Sequence, residues 1–338
     1  MIKIAVDAMG GDFAPEQIVK GVNLAIKNNK DLFINLYGKK EEILKYLDKT
    51  DRVVVINADE KLDMGEKDPV STIRRNKELS MVKAFQAVHD KECAGAVTAG
   101  PTQGAVVAAH LIVRRMKGMK RVALCPQLPN VFGKSRIMLD VGANTDIRPE
   151  HILQHAQYAT VFFRETRKVE NPLVGLINIG TEPGKGREQE KELFELLKED
   201  PSINFYGNVE PKDVLTTECD ILLTDGFSGN LVMKTIEGTA KSTGAILKQE
   251  IKKSVFGMIG ALFMKKSFKS LKVKMDYNNK GGAVLLGTKK IIVKGHGGSK
   301  AKSVSVCLKQ AVDMYKANVC GIISDEVQNV QVEVPSEE

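Results

Sequence analysis

The stretch ILLTDGFSGNLVMKTIEG, residues 221–238, decides the fold. Residues 221–224 form a short apolar run, the mark of a strand buried on both faces. A polar turn follows, Asp225-Gly226-Phe227-Ser228-Gly229-Asn230, and helix-spaced apolar residues begin at about Gly229. Strand, glycine-rich turn and helix in that order are the unit of a parallel sheet. Outward from this stretch the unit recurs. On the N-terminal side strands are expected at 2–7, 32–37, 53–56, 94–98, 122–125, 137–141, 173–179 and 204–206. Between them helices are expected at 15–28, 69–89, 102–116, 149–168 and 188–199. On the C-terminal side come strands at 284–286 and 291–293 and a closing helix at 302–317. The pattern predicts an α/β fold with a mostly parallel sheet and helices on both faces. Residues 1–326 are expected to make a single large α/β domain, with room for two lobes around a cleft, and 327–338 a frayed tail.

Composition narrows the function. The chain has 338 residues, 43% hydrophobic, without tryptophan and with few aromatics, so it has little to stack bases on. A net charge of +8 suits an acidic partner: an anionic substrate, an acidic carrier protein, anionic lipid or nucleic acid. The five cysteines are odd in number and widely spaced, with no CxxC pair, which argues against a zinc ribbon or a disulfide framework. The N-terminus opens directly as a strand without a signal-peptide pattern, and no run reaches the roughly 18–20 apolar residues of a membrane span. The expected location is cytoplasmic.

Polar and glycine residues gather after the predicted strands, where open α/β sheets bind ligands. These turns are Asp7-Ala8-Met9-Gly10-Gly11-Asp12, 99–104, Gly142-Ala143-Asn144, 180–186, 225–230 and Gly295-His296-Gly297-Gly298. Glycine lets backbone N–H groups approach an anion, and a following helix start adds partial positive charge. Any one of them is ordinary as a tight turn; six together point to a site. There is no P-loop, GxGxxG, GxSxG or HExxH. His151 and His155 lie four apart on a predicted helix but lack a zincin glutamate, so no metal or cofactor is expected.

Several motifs carry a resemblance. DAMGGD at 7–12, IRRNKELSMV at 73–82, LDVGAN at 139–144, NIGTEPGKG at 178–186 and FYGNVEP at 205–211 resemble the phosphate acyltransferase family called PlsX. So do TDGFSGN with LVMKTIEG at 224–238, and GGAVLLG with GHG at 281–297. One stretch departs: TAGPTQGA at 98–105 stands where the family commonly has SAGNTGA, with an extra residue and Pro101 in place of Asn. The resemblance implies a fold similar to phosphotransacetylases and isocitrate/isopropylmalate dehydrogenases, a homodimer, and transfer of a fatty acyl group from acyl carrier protein to inorganic phosphate, a step feeding bacterial phospholipid synthesis. An acyl-CoA-using, phosphotransacetylase-like enzyme and a scaffold of the same fold with weakened catalysis are the competing readings. Nucleic-acid binding ranks last.

That chemistry needs a cradle for a dianion and donors for a tetrahedral oxyanion, and no covalent intermediate. The candidates are Lys185, Asp225, Asn230 and His296 as catalytic residues. Asp7, Gly10, Gly11, Gly100, Thr102, Asn144, Gly186, Ser228 and Gly229 are candidates for binding phosphate and substrate. Each has an ordinary alternative: Asp225 and Asn230 as helix caps, Lys185 as a solvated surface lysine, His296 as a turn residue.

Residues 251–275 hold seven lysines and no acid: Lys252, Lys253, Lys265, Lys266, Lys269, Lys272 and Lys274. The uncharged run VFGMIGALFM, 255–264, lies between them. This reads as a basic helical hairpin whose Val255, Phe256, Met258, Ile259, Leu262 and Phe263 contact an anionic membrane peripherally, on its inner face. A hairpin buried in a dimer is the alternative, and both hold if the stems pack and the tip stays free. Arg74, Arg75 and Lys77, and the group Arg114, Arg115, Lys117, Lys120 and Arg121, are the candidate docking sites for an acidic carrier.

Overall fold

The computed structural model describes residues 1–134, 136–275 and 281–327. Strand β1 (Ile2–Asp7) is buried except at Lys3, and it runs parallel to β2 (Leu32–Gly38) and β4 (Gly95–Thr98). β3 (Val53–Asn57) adds to β2, while β12 (Ile291–Lys294) lies parallel beside β4. β11 (Ala283–Leu286) runs antiparallel between β12 and β5 (Ala123–Cys125), completing a seven-stranded sheet ordered β3-β2-β1-β4-β12-β11-β5. A second sheet is ordered β6-β7-β10-β8-β9, from β6 (Gln127–Leu128), β7 (Arg136–Leu139), β10 (Ile221–Leu223), β8 (Leu173–Ile177) and β9 (Asn204–Val209). It is parallel except for β6.

The two sheets meet where Val141 N–H donates to Leu124 O at 3.0 Å and Leu124 N–H to the Asp140 carboxylate at 3.0 Å. One apolar cluster spans both, with Ile4, Leu36 and Val97 from the first sheet and Leu139, Val174 and Ile221 from the second. Helix α1 (Glu16–Asn28) packs on α11 (Ala301–Lys316) across the first sheet, and α7 (Glu188–Glu199) packs beside α6 (Pro149–Arg167) on the second. α6 is buried almost all round. Two of its polar side chains meet the turn 118–121: Gln154 holds Lys120 N and Gly118 O, and His155 Nε2 lies 2.9 Å from Arg121 O.

Four expected helices have different bounds. The long helix at 69–89 is two, α3 (Pro69–Arg75) and α4 (Ser80–His89). Asn76 divides them, because its side chain takes Glu78 N–H at 2.9 Å and donates to Glu60 at 2.6 Å, offering the backbone an alternative to helix. The helix at 102–116 is α5 (Thr102–Ala108), continued by a π-turn at Ala109–Val113 and stopped by Arg114 in the left-handed region (φ 70°). The helix expected from Gly229 begins three residues earlier, as α8 (Gly226–Lys252), because Asp225 caps it. The expected closing helix is α11, but Asn318 turns the chain (φ 48°) into one more, α12 (Val319–Val327). Of the tail expected at 327–338, residues 328–338 lie outside those described. α8 leads into α9 (Val255–Phe263), capped by Ser254, and α10 (Lys265–Met275).

Candidate active site

The parallel strands bring the glycine-rich turns to their carboxyl ends in two groups. The first lies on the seven-stranded sheet. Register sets Lys294 beside Thr98, and the Thr98 hydroxyl donates to Asp7 Oδ2 at 2.7 Å, so three neighbouring strands end abreast in Asp7, Thr98 and Lys294. Ser80 Oγ and Met9 N–H donate to the other oxygen of Asp7, at 2.6 and 3.2 Å. Burial pushes the Asp7 carboxyl up, against these donors. Asp7 thus faces inward and knits the turn 7–12 to α4 and β4. Gly10 fits there because a Cβ would lie 2.4 Å from the Asp7 carboxylate and 2.6 Å from Gly100 N. Gly11 and Gly100 face each other's turns, and Thr102 opens α5 half-buried. The turn after β12 is tied in by Gly295 N–H to Thr98 O at 2.8 Å and Asp12 N–H to Gly297 O at 2.9 Å. Within that turn Gly298 N–H donates to His296 Nδ1 at 3.0 Å, which leaves the proton of the neutral ring on Nε2. Burial holds the His296 imidazole below its usual value; Glu237 opposes the shift, and Lys294, Lys234 and Lys241 add to it.

The second group lies on the five-stranded sheet, after β7, β8 and β10. Asp140 gathers Ala143 N, Asn144 N and Asn144 Nδ2 at 3.0, 2.7 and 2.8 Å. Asn144 returns its carbonyl to Gly226 N–H at 2.9 Å, joining the turn 140–144 to the start of α8. Gly229 is needed here, because a Cβ would meet Asp140 O at 2.0 Å. Asp225 is buried and accepts from Ser228 N at 2.7 Å, Ser228 Oγ at 2.8 Å and Arg187 Nη2 at 2.8 Å. Arg187 also grips Glu190, and these two carboxylates, Glu190 first, raise its pKa further. Asn230 lies one turn into α8 beside Gly142. The turn 180–186 is anchored from below: Asn178 donates to Lys185 O at 3.0 Å, and Asn208 to Glu182 O at 2.8 Å. Gly186 sits against Asn178, and the Lys185 side chain is held out into solvent.

α8 connects the groups. Starting at Asp225, it carries Glu237, whose Oε1 lies 3.7 Å from His296 Nε2. Lys185, Asn144, Gly186, Asp225, Ser228, Gly229 and Asn230 therefore cluster on one side, and Asp7, Gly10, Gly11, Gly100, Thr102 and His296 on the other. Residues that shape both groups without having been singled out are Ser80, Thr98, Asp140, Asn178, Arg187, Asn208, Glu237 and Lys294. Asn178, Asn208 and Glu237 stand inside motifs already read, at the first letter of NIGTEPGKG, within FYGNVEP and within KTIEG. Arg187 follows one such motif directly, whereas Lys294 gave no signal, looking like the end of an apolar strand.

A family model described as "Fatty acid synthesis protein" matches residues 2–322. A phosphate acyltransferase of Acholeplasma laidlawii is 45% identical over 327 residues, covering 96% of this chain and 98% of its own. One from Bacillus cereus is 43% identical, covering 97% and 98%, and one from Listeria innocua is 42% identical, covering 98% of each. Among solved structures, a branched-chain phosphotransacylase from Enterococcus faecalis superposes with a TM-score of 0.60 at 12% identity, covering 93% of this chain and 99% of its own. A phosphotransacetylase from Streptococcus pyogenes does so at 0.55 and 15%, covering 97% and 94%. A 4-hydroxythreonine-4-phosphate dehydrogenase from Klebsiella pneumoniae follows at 0.52 and 11%, covering 93% and 98%. At such identities these structures speak to the fold alone, the expected phosphotransacetylase- and dehydrogenase-like α/β fold.

Proposed function

This chain belongs to the phosphate acyltransferase family of fatty acid synthesis proteins, and on that footing we propose that its two groups of turns pass a fatty acyl group from acyl carrier protein to inorganic phosphate. The chain is an acyltransferase that uses phosphate, in the synthesis of phospholipid. A phosphate oxygen attacks the thioester carbonyl, the C–O bond forms, the tetrahedral oxyanion collapses, and the C–S bond breaks. A thiol of ordinary pKa, about 8.5, leaves readily as thiolate and takes its proton from water, so no buried acid is required. His296, neutral with its proton on Nε2, acts as a hydrogen-bond donor to phosphate or oxyanion rather than as an acid. Lys185 neutralises the phosphate. Asn230, Ser228 and the N–H groups at the start of α8 complete the cradle, with Asn144, Gly10, Gly11, Gly100, Thr102 and Gly186 shaping its walls. Asp225 and Asp7 hold these turns in place.

The observation that carries this reading is the joining of the turns 140–144, 178–187 and 225–230 through Asn144, Asn178 and the Arg187–Asp225 ion pair, with Lys185 held outward at their edge. Steady-state turnover of Lys185→Ala with saturating acyl carrier substrate tests it. Losing a charge-assisted contact should raise the KM for phosphate roughly ten- to a hundredfold. An unchanged phosphate dependence removes Lys185 from the role. Acyl-CoA presents the same thioester, so side-by-side turnover of the two donors separates carrier from CoA; a clear preference for CoA would overturn the carrier assignment.

Two finer features belong to the same proposal. Val255, Phe256, Met258, Ile259, Leu262 and Phe263 of α9 are all exposed, flanked by lysines, and suit peripheral contact with an anionic membrane at its cytoplasmic face. No described helix is long and apolar enough to cross a bilayer. α8 is exposed along residues 241–250, which suits packing of this stem against a second copy in a homodimer. Arg74, Arg75 and Lys77 are exposed and suit contact with an acidic carrier.

A further inference from the structure

We infer that Arg187 is a further catalytic residue of the phosphate site: the N–H groups on its Nη1 bind phosphate oxygen beside Lys185. The inference rests on the functional reading above and adds a residue to it. Arg187 caps α7 directly after the turn 180–186, two residues beyond Lys185, with Gly186 (φ 95°) bending the chain between them. Its guanidinium is gripped along one edge. Nε donates to Glu190 Oε1 at 3.0 Å, and Nη2 donates to Glu190 and, at 2.8 Å, to Asp225 Oδ2. Both acceptors are themselves anchored. Glu190 also takes the Arg187 backbone N–H at 2.8 Å, and the Asp225 side chain is 7% exposed. Asp225 Oδ2 accepts the Ser228 hydroxyl at 2.8 Å as well, so a single oxygen holds the guanidinium beside the first turn of α8.

A guanidinium has five N–H donors. The one on Nε and the two on Nη2 are spent on these carboxylates, and no described residue accepts from the remaining two, both on Nη1. The side chain is 62% exposed, so those two stay open to a ligand. A clasp between the turn and α8 does not call for them: an ammonium, with three donors, would serve the same two carboxylates. What arginine adds is a second edge, fixed in place because the first edge is held. A group that accepts such donors beside the outward ammonium of Lys185 is an oxyanion. The charge of Arg187 is already met by Glu190 and Asp225, so it serves as an oriented donor while Lys185 supplies the net positive charge. Its loss should therefore weaken phosphate binding and leave thioester binding alone.

The test is phosphate-dependent release of thiol from an acyl thioester by wild type, Arg187→Lys and Arg187→Met, with urea unfolding of each. Arg187→Lys keeps the charge and the clasp and loses the second edge. It should raise the KM for phosphate roughly tenfold, with the KM for the thioester and the urea midpoint close to wild type. Arg187→Met should show at least that rise and a lower midpoint, since the clasp goes too. A wild-type KM for phosphate in Arg187→Lys, or an equal rise in both KM values, overturns the inference and leaves Arg187 a clasp. If Arg187→Met does not fold, Arg187→Lys alone decides. Wild type without any phosphate-dependent release would sink the functional reading itself, and this inference with it. Wild type with such release, matched by Arg187→Lys in its phosphate dependence, sinks this inference only.

Discussion

Arg136 shows what a single side chain can carry without touching the site. It is 1% exposed, and its guanidinium reaches the carbonyls of Cys219, Val214 and Thr217, the turn that feeds β10 and, beyond it, Asp225. A planar fork of five donors can satisfy several carbonyls at once; lysine cannot copy it. Arg136→Met strands those carbonyls and should destabilise the protein by about 3 kcal/mol, with Arg136→Lys recovering part of that. A urea midpoint in Arg136→Met equal to wild type would refute this. In the sequence Arg136 was one basic residue in KSRIML, because burial and carbonyl partners come from residues some 80 positions away. Lys294 was hidden as well: it is buried at the end of β12 beside Thr98 of β4, and periodicity reports a strand without reporting what its last side chain meets. The exposed place of Lys185, by contrast, was legible, since it follows from a local turn.

Among the elements, β1, α1, α7 and β8 follow from apolar spacing, while α3 and α4 show its limit. Their apolar residues keep one helical phase across residues 76–79, but the Asn76 side chain competes for the backbone and breaks the helix. α9 shows the opposite case, a short element whose composition speaks for itself: Phe256 is 86% exposed and Leu262 72%. Burying such side chains in an interface stabilises by about 1.5–3 kcal/mol each, so two of them dominate attachment. Liposome flotation should bring wild type up with anionic vesicles and leave Phe256→Glu/Leu262→Glu in the soluble fraction. Equal flotation of both would exclude this tip as the contact. Asp225 is an element-scale residue too. It was read as catalytic or capping, and its three contacts make it the cap of α8 and the anchor of Arg187. Removing it, as Asp225→Ala, should cost about 1 kcal/mol for the cap alone and loosen the turn 178–187, seen as faster proteolysis there. Unchanged proteolysis would separate that turn from the cap.

At the scale of the whole molecule, alternating strands and helices announced the α/β class but not the division into two sheets. The antiparallel entries of β6 and β11 explain why: a buried run of three or four apolar residues looks the same in either direction. The sheets share one apolar cluster, and Asp140 and Val141 stitch their edges. The described body should therefore melt as one cooperative unit, with calorimetric and van't Hoff enthalpies in agreement. Two resolved heat-absorption peaks would show that each sheet stands alone.

α8 runs 27 residues from the Asp225 turn to the foot of the basic helices, about 40 Å of rigid rod. That is longer than a fully stretched fatty chain. On the proposed membrane contact, with α8 upright on the bilayer, an acyl chain still held at the turns would not reach lipid. Release of the acyl phosphate would then precede its entry into the bilayer, and the length of the rod would set how long the mixed anhydride is open to hydrolysis.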